Sequence, residues 1–502
     1  MKNTRRTLTC AAALLLLAQL AACASDGENG GTVDTKTDDA GTTAAVTTEA
    51  VDPKIQQKAD YYASITAELP SANGETKEIH FISDTGDISV EAEDGEKLND
   101  AMYRRNIEIE EKLGYKVVNY EVEESEILSK IKNSVNAGDG AYDAISMRTY
   151  MIGGLFSGGY LQDMNDLENV NYYEPWWNQS ANANLTFGGV RYCGLSSLCH
   201  RADSVCEMVL INKKMAENLD LEVPYQAAYD GKWTYDMLHE MMKMVPTDSN
   251  GDGQMDYNDV VGLVGQSQDI TASVIACGMT YFVKDENDMP VFTLDKDENA
   301  NKFEKIYDLF TDDTYAVIVG LCQGINDDPW GYWGTKFLNG ESLFMLEFPA
   351  NLSGYTDMED DYGVLPMPKY DESQAEYRTM TNLWHTSALC IPKVHAATEG
   401  EIGLVLDAMS FLSYVDVEPT YAETYLENRY IRDEESVDMM NIVIRSMYYD
   451  PAFALYESWS YPLGIPMEIA ASGNNNFAST VASKKKGIEK AVERTKKVLE
   501  DY

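Results

Sequence analysis

The sequence predicts an α/β protein built on helix-covered, mainly parallel sheets, and three observations predict it. Short apolar runs of strand length alternate with amphipathic helical stretches from residue 78 onward. The connections are short and polar, as in strand–helix–strand units. The alternation begins afresh after Gly188-Gly189, and no internal repeat accounts for it.

Glu78 to Ser83 (EIHFIS) reads as the first strand and runs into the polar turn Asp84-Thr85-Gly86-Asp87. Leu98, Ala101, Met102, Ile107, Ile109 and Leu113 recur at helical spacing and stop at Gly114, a helix-terminating residue. Tyr115 to Glu121 is the second strand. Ser125 to Asn136 is the second helix, with Ser125 as its expected N-cap and Ala137-Gly138 as its end. Tyr142 to Met147 is the third strand. In such sheets ligands collect at the carboxyl ends of the strands, here Asp84-Thr85 and Arg148-Thr149-Tyr150. In the second pattern, Val205 to Asn212 is a strand, followed by helices at Lys213 to Asn218 and Thr234 to Met244. Ser342 to Glu347, Asp361 to Met367 and Ser387 to Ile391 are further strands. Val481 to Leu499 closes the chain as an amphipathic helix.

The first residues carry a different message. Lys2, Arg5 and Arg6 form a basic start, Leu8 to Leu20 an apolar stretch, and Ala21-Ala22 a small-residue site before Cys23. These are the zones of an export signal, and the apolar stretch is well short of the ~20 residues that span a bilayer. Leu20-Ala21-Ala22-Cys23 resembles a bacterial lipobox. That implies cleavage after residue 22, acylation of Cys23, and an anchored protein on the extracytoplasmic face of the cell membrane. Residues 23–55 then read as a tether, because the stretch has too few large apolar side chains to offset the entropy of ordering.

About 445 residues remain, enough for two or three domains. The formal charge is −44, from 39 basic and 83 acidic residues. A surface that acidic repels phosphate backbones, which excludes nucleic acid as a partner. Six cysteines lie beyond the leader: Cys193, Cys199, Cys206, Cys277, Cys322 and Cys390. Their spacings do not suit a metal site, which leaves buried thiols or one disulfide.

Several segments carry a family resemblance. They include LNDAMYRRN (98–106), GDGAYDAISM (138–147), GYLQDMNDL (159–167), YYEPWWNQSA (172–181) and LINKKMAENLDLEVPY (210–225). Further along come GKWTYDML (231–238), DYGVLPMPKYDESQAEY (361–377) and NRYIRDEES (428–436). In their order the chain resembles the family 1 extracellular solute-binding proteins, the maltose-binding-protein type, in the form common among Gram-positive anaerobes. The resemblance implies a two-lobed, type II periplasmic-binding-protein-like α/β fold with the ligand cleft between lobes. It implies a monomer that closes on a carbohydrate, as an oligosaccharide, and delivers it to the transmembrane subunits of an ABC permease. We expect the first lobe at 75–190 plus 341–380 and the second at 195–337 plus 384–502.

The sharpest local motif is Asp248-Ser249-Asn250-Gly251-Asp252-Gly253-Gln254-Met255-Asp256-Tyr257-Asn258-Asp259. Asp248, Asn250, Asp252, Asp256 and Asp259 fall at positions 1, 3, 5, 9 and 12 of an EF-hand-type loop. Gly253 falls at the sharp turn, and Gln254 offers a backbone carbonyl. A structural Ca²⁺ is the expected occupant, with the final Asp shorter than the usual Glu.

Sugar sites combine aromatic platforms with polar hydrogen-bonders. Candidate cleft residues are Trp177, Trp330, Trp333 and Trp384, together with Asp84, Arg148, Tyr150 and Glu347. Trp330 and Trp333 lie in a Gly/Pro-flanked segment read as a loop. Trp233, and equally Trp176 and Trp177, also fit core packing. No G-x-S-x-G elbow, P-loop or H-E-x-x-H helix occurs, so the chain reads as a binding protein and not an enzyme. The alternatives are a surface-anchored glycan-degrading enzyme, since two carboxylates suffice for a glycosidase, or a non-transport glycan adhesin.

Overall fold

The computed structural model describes residues 52–245, 248–253, 257–321, 329–427 and 430–500. The export signal, Cys23 and nearly all of the tether lie outside these residues, as do Gln254, Asp256 and Cys322. Among the described residues no helix is long and apolar enough to cross a membrane.

Nine strands build two sheets: β1 Lys77–Ser83, β2 Tyr115–Glu121, β3 Ala144–Arg148, β4 Met208–Asn212, β5 Val261–Gln266, β6 Ala316–Val319, β7 Ser342–Glu347, β8 Tyr362–Pro366 and β9 Ser387–Cys390. The first sheet has the order β9-β3-β1-β2, with β1 parallel to both neighbours and β9 antiparallel to β3. The second has the order β8-β4-β7-β5-β6, parallel across β7-β5-β6 and antiparallel across β8-β4-β7. These sheets are the centres of two lobes. The strand pairing corrects the expected division: β7 and β8, in 341–380, belong with the second sheet, and β9, in 384–502, completes the first.

Local chemistry explains the helices that flank the first sheet. Lys97–Leu113 ends at Gly114, whose φ of 76° is open to glycine at little cost. Glu124–Ala137 ends the same way at Gly138. Its N-cap is Glu123, so Ser125 sits within the first turn and does not cap. Glu399–Leu412 opens with a reciprocal capping box between Thr398 and Glu401. Its residues from Ile402 to Leu412 are all buried, so it forms the spine of the first lobe.

Asp407 on that spine is a buried carboxylate that accepts from Trp176 Nε1 (3.0 Å), Trp177 Nε1 (3.1 Å) and Tyr61 Oη (3.0 Å). Burial pushes its carboxyl upward while those three donors pull it back. The arrangement fixes Trp177, 1% exposed, inside the first lobe's core. It also straps the N-terminal helix Pro53–Ser64 onto that lobe, aided by Lys58 between Glu108 and Asp416 (2.6 Å each). Trp233 is likewise core, its Nε1 donating to the Pro366 carbonyl at 2.8 Å. The described cysteines Cys193, Cys199, Cys206, Cys277 and Cys390 are buried free thiols.

Candidate functional site

A cavity of about 820 Å³ opens between the two sheets, bounded by their carboxyl ends and by the segments that cross from one lobe to the other. The first lobe supplies Asp84, Thr85 and Gly86 beyond β1, Glu121 at the end of β2 and Arg148 at the end of β3. The second supplies Gln266 and Gln268 at the end of β5, Phe348 and Asn351 beyond β7, and Trp333. Arg201, Ser204 and Val205 come from one crossing segment, and Asn382, Trp384 and His385 from another.

The two walls differ chemically. All the ionisable groups on the wall come from the first lobe and the crossing segments, whereas the second lobe presents amides and two aromatic rings. Asp84 Oδ1 accepts from the Arg148 backbone N–H at 3.2 Å, and its Oδ2 lies 3.9 Å from the guanidinium. Burial raises the Asp84 carboxyl, against the pull of Arg148. Arg148 is itself held by Glu124, which also accepts from the Tyr150 hydroxyl. His385 is pushed down by burial and then by Arg148, which favours the neutral ring.

Four of the sequence-predicted residues come together on the wall: Asp84, Arg148, Trp333 and Trp384. The segment holding Trp333 is a helix, Pro329–Leu338, and not the loop expected from its glycines. Trp333 is 8% exposed and its Nε1 has no acceptor among the described residues. A buried donor without a partner costs on the order of 1–3 kcal/mol, so an acceptor delivered by a ligand would relieve it. The Trp330 side chain lies outside the described residues.

Three candidates stand elsewhere. Tyr150 is not on the wall but behind it, its ring 6.5 Å from that of Trp384. Trp177 is in the core, as above. Glu347 is buried rather than presented: Oε1 accepts from Phe348 N (2.8 Å) and Asn351 Nδ2 (2.7 Å), and Oε2 from Tyr355 Oη (2.7 Å). Burial lifts it to about 7 despite those donors. Its part is to hold Phe348 and Asn351 on the wall.

Sequence alone places His385 beside Trp384 at a lobe crossing, next to the cleft, but does not mark Arg201, Gln266, Gln268, Phe348 or Asn351. One signal points to one of these: Phe348 directly follows a predicted strand. Gln266 ends a strand that the sequence reading did not find.

The calcium-type loop is described only in part. Asn250 Oδ1 accepts from Asp252 N–H (2.9 Å), Asp248 Oδ2 from Gly253 N–H (3.1 Å), and Asp259 Oδ1 from Asn250 N–H (3.3 Å). Gly253 has φ 83°, as a sharp turn at that position requires. Among the described residues no group of three or more His, Cys, Asp or Glu side chains is placed to hold a metal ion.

Comparison with known proteins places the fold. A family model described as bacterial extracellular solute-binding protein matches residues 108–400, more than half of the chain. The chain belongs to that family. Its location is therefore extracytoplasmic, and its class is a solute-binding protein. Among solved structures it is similar to a cyclo/maltodextrin-binding protein complexed with maltotetraose, with a TM-score of 0.56 at 16% identity over 84% of this chain and 98% of that one. It is also similar to a cyclic α-maltosyl-1,6-maltose-binding protein from Arthrobacter globiformis (0.55, 14%, 84% and 99%). The maltose-binding periplasmic protein of Listeria monocytogenes in complex with maltose is a third (0.54, 14%, 83% and 98%). At these identities the likeness concerns the two-lobed fold. Among curated proteins no sequence matches.

Proposed function

We propose that the protein captures a carbohydrate, an oligosaccharide by the size of the cavity, by closure of the two lobes and delivers it to an ABC permease. The observation that carries this reading is the make-up of the cleft walls. Trp333 and Phe348 on one lobe and Trp384 at the crossing offer apolar faces to sugar rings. Asp84, Arg148, Gln266, Gln268 and Asn351 offer the donors and acceptors that hydroxyl groups need. The saccharides named with the similar structures support the same class. The protein acts as a monomer, tethered through a lipidated Cys23, and turns over no substrate.

Thermal melting against a glycan panel tests the reading. A ligand at a hundredfold excess over its Kd stabilises the folded state by about 2.7 kcal/mol. One or more intact glycans should raise the melting temperature and be recovered unchanged. Release of shorter products would make the protein an enzyme instead.

We propose further that loop 248–259 binds a structural Ca²⁺. The sharp turn at Gly253 and the spacing of Asp248, Asn250, Asp252 and Asp259 along the loop support it. Calcium should raise the melting temperature and a chelator should reverse the gain; an identical melt in both would dismiss the site.

A further inference from the structure

The charges around Asp87 do not balance. Asp87 is 1% exposed, and one carboxylate oxygen accepts from Ser387 Oγ at 2.7 Å. The other stands 3.1 Å from Arg201 Nε. A second guanidinium, Arg105, is fully buried beside the same residue. Its four hydrogen bonds go to neutral oxygens: Asn106 Oδ1, Ser413 Oγ and the carbonyls of Asp87 and Ile88. His200, 3.9 Å from Asp87, is driven down to about 4 chiefly by burial and adds no charge at neutral pH. Two fixed cations therefore share one anion, in a chain with 83 acidic residues.

The surplus faces the cleft. The Arg201 side chain is 49% exposed, lines the cavity, and lies against Gly86. Only its Nε is used; neither Nη nitrogen has an acceptor among the described residues. A guanidinium ion-paired on its Nε side leaves the two Nη donors of its planar fork facing outward, and the geometric complement of that edge is a carboxylate. The other guanidinium on the wall, Arg148, is already answered by Glu124. Glu121, exposed on the cleft wall at the end of β2, would repel an anion there and so confine it to the Arg201 end. The −44 net charge does not cancel this local field, because distant surface charges are screened beyond about 8 Å at physiological salt.

We infer that the ligand is an acidic carbohydrate, one that carries a uronate carboxylate, and that Arg201 receives that group through its two free Nη nitrogens. The inference rests on the carbohydrate reading above and deepens it. Its test is a set of matched pairs, each neutral sugar or short oligosaccharide beside its uronate counterpart, titrated into the purified protein and its Arg201→Gln and Arg201→Lys variants. The uronate member of at least one pair should bind about tenfold or more tightly than its neutral partner. Arg201→Gln should erase that gap, and Arg201→Lys, which keeps the charge and loses the fork, should fall between. Melting of the ligand-free Arg201→Gln variant should fall, because buried Asp87 loses its ion-pair partner; comparing the two members of each pair on one folded variant keeps that loss out of the affinity gap. Neutral members binding as tightly as the acids, or a loss in Arg201→Gln equal for both, would overturn the acidic ligand and leave the carbohydrate reading standing. Failure of every pair would overturn both.

Discussion

Trp177 donates to Asp407 from a closed interior, whereas Trp384 leaves part of its ring open on the cleft wall. The same substitution should therefore read out differently at the two sites. Trp177→Ala is expected to cost about 3–5 kcal/mol of stability, measured by denaturant unfolding, because it removes a large buried side chain and one donor to a buried carboxylate. Trp384→Ala should leave most of the stability and weaken glycan affinity about tenfold or more in a titration. A stable Trp177→Ala, or a Trp384→Ala with full affinity, would contradict the assignment. Sequence could not separate these two residues. Both are tryptophans in polar-flanked segments, and what distinguishes them is Asp407, 230 positions away from Trp177. The strand-end residues Asp84 and Arg148 were legible because a parallel sheet fixes where its carboxyl ends point. Arg201 was not, since it lies on a crossing segment that no periodicity marks.

Among the elements, the first sheet was readable almost residue by residue, because its strands and helices alternate with glycine stops. In the second sheet β5 and β6 escaped. Val261–Gln266 contains two glycines, which weaken a strand pattern. Both are there for space: a Cβ at Gly262 would come within 2.6 Å of the Met242 Cβ, and one at Gly265 within 2.8 Å of Asp269 Oδ2. Gly262→Ala should accordingly lower the melting temperature by several degrees, as expected for overpacking worth roughly 1–3 kcal/mol. The N-terminal helix Pro53–Ser64 overlaps the end of the stretch whose composition predicts a tether, residues 23–55. Tyr61→Phe, which removes one of the three donors to Asp407, should cost about 1–2 kcal/mol and expose this helix to proteolysis first. Equal melting and equal protease resistance would mean that the helix is not strapped down by that bond.

For the molecule as a whole, buried carboxyl groups set the response to pH. Burial raises Glu347 and Asp450 to about 7 each, and raises Glu207 and Asp269 well above their ordinary values, with added repulsion from Asp269 and Glu347 on Glu207 and from Glu347 on Asp269. In the unfolded chain such groups titrate near 4. The folded protein therefore holds more protons between about pH 4 and pH 7, and stability falls as pH rises through that window. His200 works in the opposite sense: its lowered value means that stability is lost as pH falls from about 6.5 toward 4. The melting temperature is expected to be higher at about pH 5.5 than at about pH 8, and a flat profile would show that these carboxyls stay ionised. Glu347→Gln should shrink the difference. It also bears on function, because the same carboxyl holds Phe348 and Asn351 on the cleft wall.

The return of β9 to the first sheet has a consequence for biogenesis. β3 ends at Arg148 and its antiparallel partner starts at Ser387, so roughly 240 residues must follow before that edge is covered. While the chain threads N-terminus first through the export channel, the first lobe emerges with an open strand edge of the kind that recruits other chains. Its spine helix, Glu399–Leu412, arrives later still. A transcript cut anywhere before residue 387 would encode a whole second sheet, if it ended after β8, but never a whole first one. The half that is made first is thus the half that is finished last, and folding helpers outside the membrane would have the longest window on residues 77–148.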